Sequence, residues 1–386
     1  GGLYAGALVL KSFFPDLILW QTTLFLAAVA GVYTAVGGLR AVVITDALQA
    51  VILIIGCGVL TYLLFERVDF DWARVVASVP DGHLSMVRPA SDNDLPWTGL
   101  LLGVPFMGFW YFTTNQFIVQ RVLGSKDIKN ARWGLMLAGF LKVVPLFLMV
   151  IPGVIAVSVL PQIGEPDMVF PTAMIEILPI GLLGLVLAGL ISAIMSSVDS
   201  TLNSSSTLVV MDFIKPANPQ LSEVDVARYG RVITLVLTVI AALWAPQIAN
   251  FKSLWDYLQL MFSIVVPPIA VIFLLGVFYK RGNANGAFYT VIFGTIISAL
   301  LVYLSQIAVW PVHYTTNVGI MVAISSLIYI LVSLSTAPPR PEQINNYTYR
   351  RELAADGMEG QPWYLDYRFH SVLLVLLMAA ILIYFW

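Results

Sequence analysis

The sequence predicts an all-α, polytopic membrane protein, and three observations predict that class. Of the 386 residues, 59% are hydrophobic and only 11% are charged, whereas about 25% are charged in a typical soluble chain. The mean hydropathy is +0.88. Ten apolar runs are long enough to cross a bilayer, and a few ionisable residues lie deep inside them.

The ten predicted spans are separated by short polar loops. They cover residues 18–37, 39–65, 97–120, 131–160, 177–212, 228–246, 254–279, 285–306, 315–335 and 369–386. A shorter apolar stretch, residues 1–14, precedes them, and the chain begins without methionine. We interpret residues 1–14 as the stump of a helix in an N-terminally truncated chain. We interpret residues 338–367, which begin with a proline cluster, as a cytoplasmic linker.

Basic residues recur in every second loop, and this alternation predicts the orientation. Lys and Arg cluster in residues 121–132, 213–231 and 280–284, whereas residues 161–176 and 307–314 contain neither. The basic loops are therefore predicted to face the cytoplasm, in a plasma (inner) membrane, with the C-terminus extracytoplasmic.

The composition also excludes several classes of function. The formal net charge of −2 gives no reason to expect a nucleic-acid partner, so membrane lipid is the expected surrounding. A single cysteine, Cys57, allows no disulfide framework. His83, His313 and His370 lie in or beside loops, and no nucleophile–base or metal-ligand spacing appears. We therefore expect neither an enzyme nor an organic cofactor.

Lys142 and Gln259 are polar residues within predicted spans. Lys142 follows Arg132 by ten residues, which places it roughly 15 Å along a helix, near the middle of a bilayer. A charge there costs at least about 2.5–3.5 kcal/mol, so it usually faces a cavity or a partner. Both residues are candidates for binding a polar solute. The alternative is that they tie neighbouring helices together.

The span at residues 97–120 is predicted to be a broken helix. Gly103, Pro105 and Gly108 interrupt it, and aromatic residues 109–112 are followed by polar residues 113–116. Irregular backbone at membrane depth survives only inside protein or along a water-filled cavity. Aromatic rings beside amides and hydroxyls suit a polar solute with an apolar face, such as a sugar ring. The alternative is a kinked helix with interfacial aromatics. The solute-binding candidates here are Trp110, Tyr111, Phe112 and Asn115.

A stripe of small polar residues lies on the span at residues 177–212. Ala193, Ser196, Ser197 and Ser200 fall at i, i+3, i+4 and i+7, on one helix face. Neutral, hard oxygen ligands of this kind suit a weakly held monovalent cation. Close helix packing is the alternative, and on spacing alone it is the stronger one.

Two acidic residues change that balance. Asp46 lies six residues after Arg40, and Asp199 lies three residues after Ser196 on the same predicted helix. A buried carboxylate without a nearby cation is strongly disfavoured. Near the serines, Asp46 and Asp199 would complete a cation site. The alternative for each is a snorkelling or hydrogen-bonded carboxylate.

At these residues the chain resembles the sodium/solute symporter family, and within it the sodium/glucose cotransporter branch. The resemblance is carried by Gly37-Gly38-Leu39-Arg40-Ala41-Val42…Thr45-Asp46…Gln49, Trp110-Tyr111…Asn115-Gln116-Phe117-Ile118-Val119-Gln120-Arg121, Phe170-Pro171-Thr172…Ser196-Ser197…Asn203-Ser204…Met211-Asp212 and Arg281…Gly286-Ala287. It is nearly collinear over residues 1–306 and weak afterwards.

The resemblance implies a leucine-transporter-like bundle with two inverted five-helix repeats and peripheral helices. Residues 18–65 would end the first repeat, residues 97–279 would form the second, and residues 285–386 would be peripheral. The chain would then be one transporter domain, 1–386, that lacks about four N-terminal helices.

Roles are carried over by motif. Ala193, Ser196 and Ser197 match the main sodium site of the family, and Asp46 and Ser200 match a second sodium site of some members. Tyr111 matches an aromatic gate below the sugar. Lys142 and Gln259 match sugar-binding positions. Gly108 and Phe112 depart from residues common in sugar carriers, which leaves the solute open, and Asp199 stands where small neutral residues are usual.

The resemblance therefore implies sodium-coupled symport of a small polar organic solute, such as glucose or galactose, with Na⁺ as the coupling ion. Two alternatives stay open. One is a symporter of the same fold for another solute, such as myo-inositol, proline, a monocarboxylate or sialic acid. The other is a sugar sensor or channel without coupled transport.

Overall fold

The protein is described here by a computed structural model that covers residues 1–160, 165–350 and 362–385, without the side chains of residues 33, 35–45 and 346. Within these ranges the chain is helical, and its one β-type contact is an isolated bridge between Arg88 and Pro96. The all-α class predicted from composition and apolar periodicity is confirmed. Parts of the predicted loop 161–176, the linker 338–367 and the Gly37–Thr45 motif lie outside the description.

The α-helices are numbered in chain order. They are α1 Gly2–Phe13, α2 Leu19–Arg67, α3 Trp72–Ser78, α4 Trp97–Leu102, α5 Val104–Thr113, α6 Gln116–Leu123, α7 Ile128–Leu141, α8 Ile151–Val159, α9 Val169–Ile177, α10 Ile180–Val209, α11 Lys215–Ala217, α12 Glu223–Trp244, α13 Leu254–Phe278, α14 Ala284–Gln306, α15 Tyr314–Ser335, α16 Pro341–Tyr347 and α17 Tyr367–Tyr384. Five short 3₁₀ or π segments are Leu146–Val150, Pro166–Met168, Val210–Ile214, Ala245–Asn250 and Trp363–Leu365.

Eight helical stretches of the described chain are long and apolar enough to cross a membrane. They are Asp46–Arg67, Ile128–Val159, Ile180–Ala217, Glu223–Asn250, Leu254–Phe278, Ala284–Gln306, Tyr314–Ser335 and Tyr367–Tyr384. Each overlaps a predicted span. The first predicted span is represented by a shorter apolar stretch, Leu19–Val32, and the predicted span 97–120 is divided among α4, α5 and α6.

Helix α2 corrects the prediction of two spans separated at residue 38. Its backbone is α-helical without interruption for 49 residues, which corresponds to roughly 74 Å. Gly37 and Gly38 lie at the boundary between the two predicted spans. A glycine within a helix costs only about 1 kcal/mol relative to alanine and does not by itself end the helix.

The described chain divides into two compact units. Unit 1 comprises Gly1–His83 and Leu137–Leu254, and unit 2 comprises Leu84–Met136 and Trp255–Trp386. In unit 1, α2 packs chiefly against α10 and α12, with α1 beside it. In unit 2, α14 packs against α15, and α15 packs against α4. The two units are described separately below.

The core of unit 1 joins α2, α8, α9 and α10. Leu60, Leu64, Ile155, Met174 and Val186 are fully or almost fully buried together. Two glycines let α2 and α10 approach closely, because a Cβ at Gly56 would come within 2.6 Å of Val186 and a Cβ at Gly189 within 2.9 Å of Ile52. Small residues at helix crossings are the usual means of close packing in membranes.

The membrane-length stretch that contains Lys142 is not a regular helix. α7 ends at Leu141, and a π-helical segment, Leu146–Val150, precedes α8. Pro145 explains the interruption. It lacks an N–H group, and its ring would clash with the carbonyl four residues earlier, which is that of Leu141. Sequence periodicity did not predict this irregularity.

Unit 2 brings α4 and α15 into backbone contact. A Cβ at Gly103 would overlap the carbonyl oxygen of Thr315, and a Cβ at Gly319 would lie 2.6 Å from Cβ of Leu102. The hydroxyls of Thr98 and Thr316 lie 2.8 Å apart at the same crossing. The predicted break at Gly103 is observed, because α4 ends at Leu102 and α5 begins at Val104.

Helix α17 touches the rest of unit 2 at its two ends. At its start, the guanidinium of Arg132 lies 4.9 Å above the ring of Tyr367, and the rings of Trp133 and His370 are 4.9 Å apart. At its end, the carbonyl of Phe385 accepts a hydrogen bond of 2.7 Å from the N–H of Met86. Its apolar 18-residue stretch between these ties is exposed.

A polar cluster lies at the end of unit 2 that is opposite the basic turn at residues 280–284. His313 caps α15, with Nδ1 lying 2.7 Å from the Thr315 hydroxyl and Nε2 lying 3.2 Å from the carbonyl oxygen of Asn93. Burial lowers the pKa of His313, although the Asn93 carbonyl and neighbouring carboxylates oppose that change. Backbone N–H groups of Leu95 and Asp94 lower the pKa of the Asp92 carboxyl.

Replacing Gly103 with alanine should destabilise the protein, because the added methyl group would overlap the Thr315 carbonyl and push α4 away from α15. Overpacking of this kind costs about 1–3 kcal/mol. Gly108→Ala is the matched control in the same broken span, since a Cβ there meets nothing within 4 Å. Thermal unfolding of the purified protein in detergent should show a lower midpoint for Gly103→Ala only. Equal midpoints for the two variants would contradict the close approach.

Candidate functional site

The centre of the site in unit 1 is a carboxylate buried in an apolar helix. Asp199 on α10 is 2% exposed, and its Oδ1 lies 2.8 Å from the hydroxyl of Thr34 on α2. Within the described residues, the Thr34 hydroxyl is the hydrogen-bond partner of Asp199. Its hydroxyl also lies 2.8 Å from the carbonyl of Ala30. A hydroxyl carries one proton, so the charged oxygen, the stronger acceptor, competes with the carbonyl for it.

Two further oxygen-bearing side chains belong to this region of unit 1. Asp46 lies near enough to Asp199 for the two carboxylates to interact electrostatically. Ser200, next to Asp199, is fully buried. Two acidic groups at membrane depth repel each other unless a proton or a cation compensates them.

The neutral stripe lies one turn earlier on α10. The hydroxyl of Ser197 donates to the carbonyl oxygen of Ala193 at 3.2 Å, and the hydroxyl of Thr201 donates to the carbonyl oxygen of Ser197 at 2.8 Å. Ser196 is half-buried between this face and the face of Asp199. Ser197 and Thr201 line a cavity of about 200 Å³ with residues of α1 and α12. Ala193, Ser196 and Ser197 therefore lie together, as their spacing predicted.

The donor set fits a hard monovalent cation. It consists of the Ala193 carbonyl, the serine hydroxyls and the carboxylates of Asp46 and Asp199. Oxygen ligands of this kind select against soft metals. Among the described residues, no group of three or more His, Cys, Asp or Glu side chains could hold a metal ion. A carboxylate cage for a divalent ion is thus not found in the described part of the chain.

In unit 2 the broken helix presents aromatic rings. α5 ends where the hydroxyls of Thr113 and Thr114 bond to the carbonyls of Phe109 and Trp110, at 2.6 and 2.9 Å. Asn115 then caps α6, because its side-chain oxygen accepts a hydrogen bond of 3.3 Å from Phe117 N–H. The second interruption therefore follows from local hydroxyl and amide chemistry.

The rings around this interruption form one cluster. Tyr111 contacts Phe112 and Phe117 edge to face, with centroids 5.0 and 5.7 Å apart. Trp110 packs on Phe262 of α13 at 5.1 Å. Gln259 lies one helical turn before Phe262 and is 8% exposed. The structure thus gathers Trp110, Tyr111 and Phe112 beside Asn115, and it buries Gln259.

Lys142 lies directly after the regular helix on which its predicted depth was based. It follows the end of α7, in unit 1, and its side chain is exposed. Its backbone N–H bonds to the carbonyls of Ala138 and Gly139, at 3.0 and 3.2 Å. Because α7 is regular from Arg132 to Leu141, the predicted distance of roughly 15 Å along the helix is kept. Its role as a solute ligand stays a prediction.

Sequence reasoning did not identify Thr34 as a residue of the site. Thr34 is 165 residues from Asp199 in the chain, and no spacing rule joins them. One signal was available: a buried aspartate in an apolar helix needs a donor on a neighbouring helix. The threonines within the apolar run at residues 18–37 were suitable donors.

Thr34→Val should destabilise unit 1, because the buried Asp199 carboxylate would lose its hydrogen-bond donor. Leaving such a group unsatisfied costs about 1–3 kcal/mol. Thr23→Val is the matched control, since Thr23 is also buried on α2 but donates at 2.7 Å only to Leu19 of its own helix. The thermal midpoint should fall for Thr34→Val, and Asp199→Asn in the same chain should restore part of it. A fall of equal size in Thr23→Val would contradict this role of Thr34.

Comparison with known proteins identifies relatives. The chain is 34% identical to sodium/glucose cotransporter 4 of Danio rerio, over 87% of this chain and 58% of that protein. It is 33% identical to sodium/myo-inositol cotransporter 2 of Bos taurus, over 90% and 59%. A sodium/mannose cotransporter of Bos taurus is 32% identical, over 90% and 66%. The chain thus spans about three fifths of the length of the first two relatives. All three relatives are cotransporters rather than enzymes.

A solved structure supports the fold. A Na⁺-coupled sialic acid symporter in a substrate-bound, outward-open state matches with a TM-score of 0.73 and 21% identity, over 88% of this chain and 71% of that one. This likeness confirms the leucine-transporter-like helical bundle. The model of the sodium:solute symporter family matches residues 1–294. The chain is therefore a multi-pass membrane protein of the sodium:solute symporter family.

Proposed function

We propose that this chain forms the greater part of a sodium-coupled symporter for a small polar organic solute, with a hexose or a cyclic polyol as the transported class. The observation that carries the proposal is the buried Asp199 carboxylate, which lies between α2 and α10 beside other oxygen ligands. Membership of the family and the named activities of the relatives support the same function.

Two sodium positions follow from the two oxygen groups of α10. The carbonyl of Ala193 with the hydroxyls of Ser196 and Ser197 provides neutral ligands for one ion. Asp199, Asp46 and Ser200 provide the second. The neutral group would bind Na⁺ weakly enough to release it, whereas the carboxylates need a cation to offset their repulsion. Ion binding and helix packing would then be linked through α10.

The aromatic cluster of unit 2 is the proposed surface for the solute. A sugar ring presents apolar C–H faces and a hydroxyl rim, and ring faces such as that of Tyr111 complement the former. Gln259 and Asn115 are the proposed partners for the hydroxyls, and Lys142 of unit 1 stays a separate, sequence-based candidate for solute binding. The relatives named for glucose, myo-inositol and mannose transport solutes of this shape.

Coupling to sodium supplies enough free energy for accumulation. One ion moving through 100 mV releases about 2.3 kcal/mol, and a tenfold sodium gradient adds about 1.4 kcal/mol. Together they support a solute gradient of several hundredfold. A second coupled ion would square that ratio, so the carboxylate group bears on stoichiometry more than on the choice of solute.

The function is tested by uptake into liposomes that contain the full-length protein. Labelled glucose, galactose and myo-inositol should accumulate against a gradient only when sodium is present outside. Proline, a monocarboxylate and sialic acid serve as competitors that reveal another solute class. Solute equilibration without accumulation would indicate a channel, and binding without movement a sensor. Either result would overturn the proposal of coupled transport.

Ser197→Ala should raise the sodium concentration needed for half-maximal uptake by about tenfold, since one ligand oxygen is lost. Thr207→Ala is the control, because Thr207 is also exposed on α10. Its hydroxyl likewise donates within its own helix, to the carbonyl oxygen of Asn203 at 2.8 Å. Sodium titration of the initial uptake rate measures the effect. Equal shifts in the two variants would argue against a sodium ligand at Ser197.

Asp199→Ala should reduce the sodium-to-solute flux ratio from about two to about one, because the second ion loses a carboxylate ligand. Reversal-potential measurements in proteoliposomes give this ratio directly. A ratio of one in the unaltered protein that Asp199→Ala leaves unchanged would remove the second ion from the proposal and leave the first intact.

Lys142→Gln should raise the solute KM by about tenfold through the loss of a charged donor, with little change in sodium dependence. Lys126→Gln is the control, an exposed lysine of a predicted cytoplasmic loop. Uptake at saturating sodium over a range of solute concentrations provides the measurement. An unchanged KM would remove Lys142 from the solute site.

A further inference from the structure

A second cavity lies in unit 2, away from the residues proposed for sodium and solute. It has a volume of about 490 Å³ and lies where α13 turns into α14. Its floor is the turn from Tyr279 to Ala287, and its roof is the segment 337–348 that follows α15. The volume falls in the range of small-molecule binding sites.

The roof is fixed at both ends by hydrogen bonds. The side-chain amide of Asn283 donates to the Thr336 hydroxyl and to the Ala337 carbonyl, both at 2.8 Å. Beyond α16, the N–H of Tyr349 donates to the carbonyl of Val277 at 2.9 Å. These contacts hold the segment over the turn and define the shape of the cavity.

The charged residues that line this cavity are both cationic. Lys280 lies in the floor and Arg340 in the roof, and no carboxylate is among the lining residues of the described chain. Neither cation forms an ion pair within the described ranges, whereas Arg88 and Arg368 each pair with a nearby aspartate. Two cations on facing walls without a counter-charge repel each other and favour an anion between them.

The start of α14 adds to this positive potential. The side-chain oxygen of Asn283 accepts the N–H of Gly286, and its carbonyl accepts the N–H of Ala287. The N–H groups of Ala284 and Asn285 have no such acceptor in the described chain, and both residues line the cavity. The first turn of a 23-residue helix thus faces the same space as the two cations.

We propose that this cavity binds a phosphate group, carried either by a soluble phosphate monoester or by the headgroup of an anionic phospholipid. A phosphate monoester carries a charge of about −1.5 to −2, which matches Lys280 and Arg340. Arg340 can bind two of its oxygens at once, and the helix start can bind a third. The remaining volume, bordered by Tyr279 and Tyr347, accommodates the group esterified to the phosphate.

The proposal is tested by comparing two double variants of the full-length protein. Lys280→Gln with Arg340→Gln removes the cations of the cavity. Lys129→Gln with Arg350→Gln removes one lysine and one arginine that are exposed in unit 2 but do not line the cavity. A third variant, Lys280→Arg with Arg340→Lys, keeps both charges and separates a loss of charge from a loss of folding.

Two probes distinguish the sources of phosphate. Binding of labelled glycerol 3-phosphate is measured on the protein in nanodiscs of phosphatidylcholine, and retention of phosphatidic acid over phosphatidylcholine is measured by native mass spectrometry. For at least one probe, the cavity variant should bind about tenfold more weakly than the unaltered protein, and the exchanged and control variants within about threefold. An effect confined to one probe assigns the source.

Three results would overturn the proposal. One is that the unaltered protein binds neither probe. Another is that the cavity and control variants bind with equal affinity. The third is that the charge-preserving variant binds as weakly as the neutral one, since positive charge would then not hold the ligand. Sodium-dependent uptake is measured in parallel, so failure of this proposal is separate from failure of the proposed transport function.

Discussion

A carboxylate in a hydrocarbon environment must be compensated, and the arrangement of unit 1 depends on how Asp199 meets that requirement. Its hydrogen bond from Thr34 joins α10 to α2, the two helices that pack most extensively in this unit. An ionised group at the centre of a bilayer costs several kcal/mol unless it is paired or solvated. The contact between these helices therefore includes a carboxylate that a cation at the proposed site would neutralise.

In unit 2, the backbone groups at an interrupted helix must be shielded from lipid, and two glycines make this possible. Where α4 gives way to α5, peptide groups would lack helical partners in lipid. The interrupted helix is instead pressed against α15, and Gly103 and Gly319 allow this contact because neither places a side chain in the interface. Thr114 and Asn115 satisfy the second interruption locally. The irregular backbone of unit 2 thus lies beside the aromatic cluster of Trp110, Tyr111 and Phe112.

Much of the fold could be predicted from the sequence, because long apolar runs and the break at Gly103 have direct physical consequences, although α5 continues through Gly108. The stripe at Ala193, Ser196 and Ser197 was predictable for the same reason, since helical spacing sets the face. The partnership of Thr34 with Asp199 was not, because contacts between distant helices leave no periodic signal. The irregular backbone after Leu141 was not predicted either, although Pro145 provides a local signal for it.

The attachment of α17 at its two ends determines how this helix responds to the surrounding bilayer. It is attached at its start through Arg132 and at its end through Met86. Most side chains between these two contacts are exposed. Its 18 residues span about 27 Å, close to the thickness of a hydrocarbon layer. Because few described residues pack on its middle, its tilt can follow the thickness of the bilayer. A thicker or thinner bilayer would change that tilt and displace Arg132 on α7 and the loop at Met86 together.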